Sequence, residues 1–302
     1  VDADFIVLEL SSFQLETVKS MKALAATILN ISDDHLDRHK TIENYAAIKQ
    51  KIYQNARYAI FNRDDESTKP IENCTNTEQL SFGCDSAQNA NFGLADIDGV
   101  VHLMDGETAL CSLTELPLQG IHNAVNYLAV LALGKCAGWN VAAMLASLIT
   151  FKGLAHRCEV IETTDGICWV NDSKATNVGA TLAAIEGLSP TLKNNKLILI
   201  AGGDGKGADF SPLTQALTQH VDYLITLGKD GRAIASLRLP NQASTTTHVE
   251  TLSAAVSLAK NQASAGDMVL LSPACASLDM FSNYVERGVV FIKSVLTQKE
   301  PV

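Results

Sequence analysis

The second half of this chain alternates strand-length apolar runs with helix-length segments, and that rhythm limits its fold more than any other feature. Residues 196–201, 222–227 and 268–271 are short runs made mostly of apolar residues, Leu and Ile above all. Helix-length stretches over 178–188, 212–219, 232–237, 252–263 and 278–296 separate and follow them. A strand buried on both faces reads as an unbroken apolar run, and parallel neighbours must be joined by a crossover long enough to hold a helix. The expectation is a Rossmann-like, doubly wound unit. Ahead of it, two alternating runs over 158–170 flank Thr164-Asp165-Gly166, which predicts a hairpin.

The first half has a mixed pattern. Residues 5–8 and 27–31 are short apolar runs, each followed by polar or acidic residues, and are expected to be parallel strands buried on both faces. A helix is expected over 45–54, a strand over 58–61, and short strands over 97–113 around Asp105-Gly106. Helices are expected over 123–138 and 141–151, the second capped by Asn140. This is an α/β core with a β appendage. The boundary falls near Gly153, giving domains 1–153 and 154–302.

The size of the chain agrees with two domains, since 302 residues with 47% hydrophobic content can bury two cores. A formal charge of -10, from 23 basic and 33 acidic side chains, gives no overall attraction for nucleic acid or anionic lipid. Seven scattered cysteines without a CxxC pair read as buried thiols of a reducing, cytoplasmic compartment. The longest apolar stretch, 127–139, is interrupted by Gly134 and Lys135 and is too short for a span, so no membrane insertion is expected. Val1-Asp2-Ala3-Asp4 runs straight into Phe5-Ile6-Val7-Leu8 with no Met and no targeting region, so the sequence reads as starting inside a domain.

Chemistry-bearing residues cluster at the expected strand ends. Glu9, in Glu9-Leu10-Ser11-Ser12-Phe13-Gln14, can hold a divalent metal or be merely solvated beside a serine-capped helix. Asp33-Asp34-His35-Leu36-Asp37 packs three carboxylates and an imidazole into five positions, a set that suits Mg2+ or an ordinary polar loop. Lys49 lies on a cationic helix side, where solvation is the default. Asn123 and Asn126 share one helical face and can read a purine edge or act as caps. Arg157 can clamp a phosphate and Asp172 can accept from ribose hydroxyls, or both can form salt bridges. Lys206, in Gly202-Gly203-Asp204-Gly205-Lys206-Gly207, is followed by Gly207 where a Walker A loop has Ser or Thr, and a dinucleotide site is not expected because no helix opens before about Pro212. Ser277, after Ser272-Pro273-Ala274-Cys275-Ala276, can cap a helix that presents N–H donors to an anion.

Taken together, ELSSFQLE, DDHLDRH, YAAIKQKIY, GIHNAVN, GLAHRCE, NDSKATN, GGDGKGADFSPL and SPACASLDMF resemble the Mur ligase family, in the family's order, from about Phe5 to the last helix. The resemblance implies the remainder of a central ATPase domain followed by a Rossmann-like domain that binds glutamate. It implies ATP and Mg2+ as cofactors, with Glu9, His35 and a carbamylated Lys49 holding the metal. Asn123 and Asn126 would approach adenine, Asp172 ribose, and Arg157 the transferred phosphate, while His35 and Lys49 would stand close to the chemistry. Ser11, Gln14, Lys174, Thr176, Lys206, Ser277, Leu278 and Tyr284 would contact substrates. GGDGKGADFSPL and SPACASLDMF are similar to the branch that adds D-glutamate to UDP-N-acetylmuramoyl-L-alanine, and the DNPR motif of the diamino-acid-adding branch is absent from the sequence. The same resemblance implies a monomer. A folylpolyglutamate synthase-like ligase and a non-catalytic binding module are the alternatives.

The family's GxxGK[S/T] phosphate loop has no counterpart among these 302 residues. Without the backbone N–H groups of such a loop around the phosphates, the isolated chain is expected to release no phosphate that depends on both ATP and D-glutamate. A coupled phosphate assay checks this, and sustained release would contradict it.

Overall fold

The computed structural model describes residues 3–32, 34–71, 77–87, 91–118 and 120–297, the Asp37 side chain excepted. Asp33, Cys74 and Gln119 lie outside the described residues. The chain forms two compact units, Val1–Ile31 with Arg38–Lys152, and Ser32–Asp37 with Gly153–Val302. The short acidic loop Ser32–Asp37 therefore belongs with the C-terminal part of the chain.

In the first unit the order is α1 (Ser12–Thr17), β1 (Ala25–Ile28), α2 (Leu36–His39, whose first two residues belong to the second unit), α3 (Ile42–Gln50) and β2 (Tyr58–Asn62). Strands β3 (Glu78–Phe82), β4 (Phe92–Ile97), β5 (Val100–Asp105) and β6 (Thr108–Ser112) follow, then α4 (Ile121–Cys136) and α5 (Val141–Thr150). The sheet runs β1-β2-β3-β4-β5-β6, parallel through β4 and antiparallel from there. Its core face packs Phe82 and Leu103 against Leu128 and Leu131 of α4 and Met144 and Leu148 of α5. Asn140 caps α5 as expected, its side chain accepting from Ala143 N–H.

Residues 5–8 do not form the expected buried strand. They are extended without sheet pairing, and Phe5, Ile6, Val7 and Leu8 are 46%, 76%, 82% and 62% exposed. The segment pairs with no strand of the described sheet, so its apolar side chains stand on no pleated surface that would bury them. The Phe5 ring lies edge-on to Trp139 at 5.5 Å.

On the opposite face of this sheet, Tyr53 is fully buried, with Ala26, Ile28, Ala56 and Ala59 around it. Its hydroxyl accepts from Ile28 N–H at 3.2 Å and stands 3.0 Å from Ile60 O and 2.9 Å from Thr68 O. One phenol thus links backbone groups of β1, β2 and the loop after β2, its single proton shared between the two carbonyls.

The second unit contains β7 (Glu159–Ile161), β8 (Cys168–Asn171), α6 (Val178–Leu188), β9 (Leu197–Gly202), α7 (Thr214–His220) and β10 (Tyr223–Leu227). It continues through α8 (Gly231–Ala235), β11 (Thr246–His248), α9 (Leu252–Gln262), β12 (Met268–Leu271) and α10 (Tyr284–Thr297). The sheet order is β11-β10-β9-β12-β8-β7, parallel except for β7, which forms the expected hairpin with β8. Side chains alternate cleanly: Leu197, Leu199 and Ala201 enter a cluster with α6 and α7, while Ile198 and Ile200 enter another with α9 and α10. Both faces are buried, which is why these strands read as unbroken apolar runs.

The last helix starts later than the pattern suggests. Met280 and Phe281 N–H both turn back to Ser277 O, and the Asn283 side chain caps the helix by accepting from Glu286 N–H at 2.9 Å. Residues 278–283 are therefore a loop, and the site near Ser277 is built on that loop.

Tyr53→Phe removes one hydroxyl and leaves buried backbone groups unpaired, so it should cost about 1–3 kcal/mol of stability. Denaturant unfolding monitored by circular dichroism measures it, and an unchanged midpoint would contradict the account.

Candidate functional site

In parallel α/β sheets the loops that leave the C-terminal strand ends carry the ligands. In the second unit these are the loops after β8 (Asp172, Ser173, Lys174), after β9 (Gly203 to Lys206) and after β12 (Ser272 to Ser277). Arg287 on α10 holds two of them together. It is 2% exposed, and its Nε donates to Ser173 Oγ at 3.0 Å, Nη1 to Cys275 O at 3.0 Å and Nη2 to Ser173 O at 2.8 Å. Burial lowers its pKa to about 10. Ser173 Oγ donates in turn to Tyr284 O at 2.8 Å.

Asp172 sits one residue beyond β8, 7% exposed, with Cys158 N–H at 3.2 Å on Oδ1 and the Ser272 hydroxyl at 2.8 Å on Oδ2. Desolvation raises its pKa to about 6 despite these bonds. The turn that carries Arg157 is braced beside it. Asn171 Nδ2 donates to His156 Nδ1 at 2.9 Å and to Glu159 Oε2 at 3.1 Å, and His156 N–H donates to Glu159 Oε2 at 2.9 Å. The His156 ring sits where a Cβ on Gly288 would be, 2.3 Å from its Nδ1, so only glycine fits there. Arg157 itself is exposed. Lys174 lies with Nζ 5.0 Å from the centre of the Tyr284 ring, a cation–π contact.

A small cleft in this unit is lined by Asp34, His35, Thr176, Asn177, Gly205 and Lys206, among others. Lys206 adopts a left-handed backbone (φ 53), fixed by its N–H donating to Asp204 Oδ1 at 3.0 Å. Its ammonium donates to Asp34 Oδ1 at 2.9 Å, and Asn177 Nδ2 lies 3.4 Å from Asp34 Oδ2. Burial opposes ionisation of Asp34, but the Lys206 hydrogen bond and charge outweigh it and hold the carboxyl below its ordinary pKa. Ser277 is buried and Leu278 is 70% exposed on the following loop.

The expected residues of the first unit are placed differently. Glu9 is exposed on the extended segment before α1. Ser11 and Gln14 bond to each other in a capping box, Ser11 N–H to Gln14 Oε1 at 2.8 Å and Gln14 N–H to Ser11 Oγ at 3.3 Å. Lys49 Nζ donates to Tyr45 Oη at 3.5 Å and lies 5.2 Å from that ring's centre. Asn123 and Asn126 occupy the first turns of α4, which Gly120 opens with φ 97. Next to them, burial pushes the His122 pKa down.

Among the described residues no group of three or more His, Cys, Asp or Glu side chains is arranged to hold a metal. Glu9 and Lys49 belong to the first unit and His35 to the second. As an ammonium, Lys49 offers donors only, so the expected set would have two ligands. It suits Mg2+ only with Lys49 as its carbamate, whose oxygens are hard acceptors.

Two arrangements were not singled out from the sequence. Asp34 is one, because nothing local says which of three clustered carboxylates will meet Lys206. The other is buried His39, with Nε2 2.9 Å from Ser12 Oγ, Nδ1 3.5 Å from Glu16 Oε1, and its ring against Phe13 and Tyr45. Ser12 is only 4% exposed, so the trio is an internal brace for α1, α2 and α3.

Residues 1–134 match the model of the Mur ligase middle domain, and residues 156–275 that of the Mur ligase glutamate ligase domain. The chain belongs to the Mur ligase family. A UDP-N-acetylmuramoylalanine--D-glutamate ligase of Colwellia psychrerythraea is 57% identical over 298 residues, covering 98% of this chain and 62% of that protein. One of Shewanella oneidensis is 47% identical over 294 residues, covering 97% and 64%. The chain thus spans a little under two thirds of these relatives. The solved MurF ligase of Thermotoga maritima in complex with ADP shares the fold, with a TM-score of 0.69 at 17% identity, covering 92% of this chain and 64% of that one. The folylpolyglutamate synthase of Thermotoga maritima matches with a TM-score of 0.59 at 16% identity, covering 91% and 61%. At such identities the structural likeness speaks for the Mur ligase fold alone.

Asp172 generates a pH prediction. Its folded pKa of about 6 lies above the ordinary 3.8, so the folded state binds the proton more tightly. The stability it contributes is full below about pH 4 and is lost as pH rises through 6, by about 3 kcal/mol. Asp172→Asn should therefore gain on the parent chain between pH 4.5 and 7.5 in urea titrations. A constant difference between the two across that range would contradict the assignment.

Proposed function

We propose that this chain carries the ATP-handling and amino-acid-binding parts of a ligase that joins D-glutamate to UDP-N-acetylmuramoyl-L-alanine in peptidoglycan-precursor synthesis, a cytoplasmic step on which cell shape and division depend. The observation that carries the reading is the Lys206 ammonium, presented by a strained loop at a strand end and already holding a carboxylate. A point cation in a polar cleft is what an acidic amino acid requires. The names of the relatives give the ligand, and their 57% and 47% identities favour D-glutamate over the pteroyl chemistry of the folylpolyglutamate alternative.

In this reaction the substrate carboxylate takes the terminal phosphoryl group of ATP. The amine of D-glutamate attacks the acyl phosphate, and phosphate leaves. Arg157 would offset charge on the moving phosphoryl group through preorganised N–H donors. Asp172, ionised above about pH 6, would accept from ribose hydroxyls, and Asn123 with Asn126 would read the adenine edge. Ser11 and Gln14 would release their mutual bonds to receive the muramoyl substrate. Lys174, Thr176, Lys206, Ser277, Leu278 and Tyr284 would enclose D-glutamate. Glu9, His35 and carbamylated Lys49 would hold Mg2+, which supplies charge neutralisation at the phosphates. We take the working unit to be a monomer.

Isothermal titration should show the chain binding D-glutamate in preference to L-glutamate, with Lys206→Ala weakening it at least about tenfold, as expected when a charge-assisted bond is lost. Equal affinity for the two enantiomers, or an indifferent Lys206→Ala, would overturn the reading.

A further inference from the structure

The cleft around Lys206 is a carboxylate subsite with its occupant built in. Asp34 presents Oδ1 to the Lys206 ammonium at 2.9 Å and Oδ2 to the Asn177 amide at 3.4 Å, so both oxygens face donors, as a bound ligand's carboxylate would. His35 N–H adds a third donor at 2.8 Å on Oδ1. The pair is mostly buried, with side-chain exposures of 15% for Asp34 and 21% for Lys206. The free volume of the cleft is about 10 Å3, room for about one water. A ligand carboxylate that takes the place of Asp34 on Lys206 opens the Asp34–Lys206 pair.

Opening the pair has an electrostatic consequence that selects among ligands. A carboxylate arriving at Lys206 replaces Asp34 there and leaves Asp34 as a largely desolvated anion beside the His35 N–H, the Asn177 amide and, 3.7 Å away, the His35 imidazole. An uncompensated buried charge is costly. A ligand that brings its own cation removes the cost, and an α-amino acid does so, since its ammonium is held close to its carboxylate.

We propose that Asp34 is a specificity-determining residue that exchanges partners with the incoming amino acid: the ligand's carboxylate takes Lys206 while its ammonium takes Asp34. The exchange replaces the one ion pair of the closed cleft with two, so neither Lys206 nor Asp34 loses its partner charge. It favours a zwitterionic amino acid over a dicarboxylate of the same length, and it places the ligand's amine against the loop Ser32–Asp37. This rests on the reading of the cleft as the glutamate pocket.

The test compares D-glutamate with glutarate, the same pair of carboxylates without the amine, by isothermal titration in the absence of metal and nucleotide. The parent chain should prefer D-glutamate by about tenfold or more, the scale of one close charge pair. In Asp34→Asn, glutarate should bind more tightly than to the parent, and the preference should shrink to within about threefold. Asp34→Ser, which also removes the charge, should behave alike and serves if the amide variant folds poorly. A preference that survives both substitutions, with D-glutamate still bound, overturns the role of Asp34. Failure of the parent chain to bind either compound overturns instead the assignment of the cleft, and the exchange with it.

Discussion

A guanidinium buried among neutral acceptors is the interaction on which the second unit's site depends. Arg287 reaches from α10 to Ser173 and to the carbonyl of Cys275, fastening the loops that leave β8 and β12. A buried cation without a carboxylate at hydrogen-bond distance depends on neutral acceptors, and here two oxygens of Ser173 and the carbonyl of Cys275 take three of its five N–H groups. The same loops carry Asp172, Lys174 and Ser277, so their spacing follows from one side chain that need not touch any ligand. Gly288, next in sequence, makes room for His156 and so braces the turn bearing Arg157.

Ionisable groups at the strand ends are poised in opposite directions. Asp172 is enclosed and pushed up to about 6, whereas Asp34 is held low by Lys206. The difference arises from partners, because Asp172 receives a hydroxyl and a backbone N–H while Asp34 receives a full cation. Burial and loop partners together can therefore set two carboxylates of one unit to different tasks.

Much of the second unit was legible in advance. The unbroken runs at 196–201, 222–227 and 268–271 match β9, β10 and β12, since burial on both faces leaves no polar phase to blur them. The hairpin around Thr164-Asp165-Gly166 and the cap at Asn140 were legible because turn and cap chemistry is local. β3, β4 and β11 were not, since their apolar positions are sparse or mixed with polar residues. The start of α10 was misplaced for a physical reason: Ser277 looks like a cap, but Asn283 does the capping. Phe5–Leu8 has strand composition, but a strand exists only where a ladder receives it.

By itself the sequence determined the α/β class, the strand-to-helix rhythm, the motif order of a Mur ligase, and the kinds of side chain available for phosphate, ribose and amino-acid chemistry. Those follow from local propensity, periodicity and residue identity. The tertiary structure alone decided that Asp34 meets Lys206, that Asp172 is buried enough to titrate near 6, and that Arg287 ties together the loops after β8 and β12. Each of these depends on groups far apart in the chain or on exclusion of water, and neither distance through space nor local solvation is written in a run of residues.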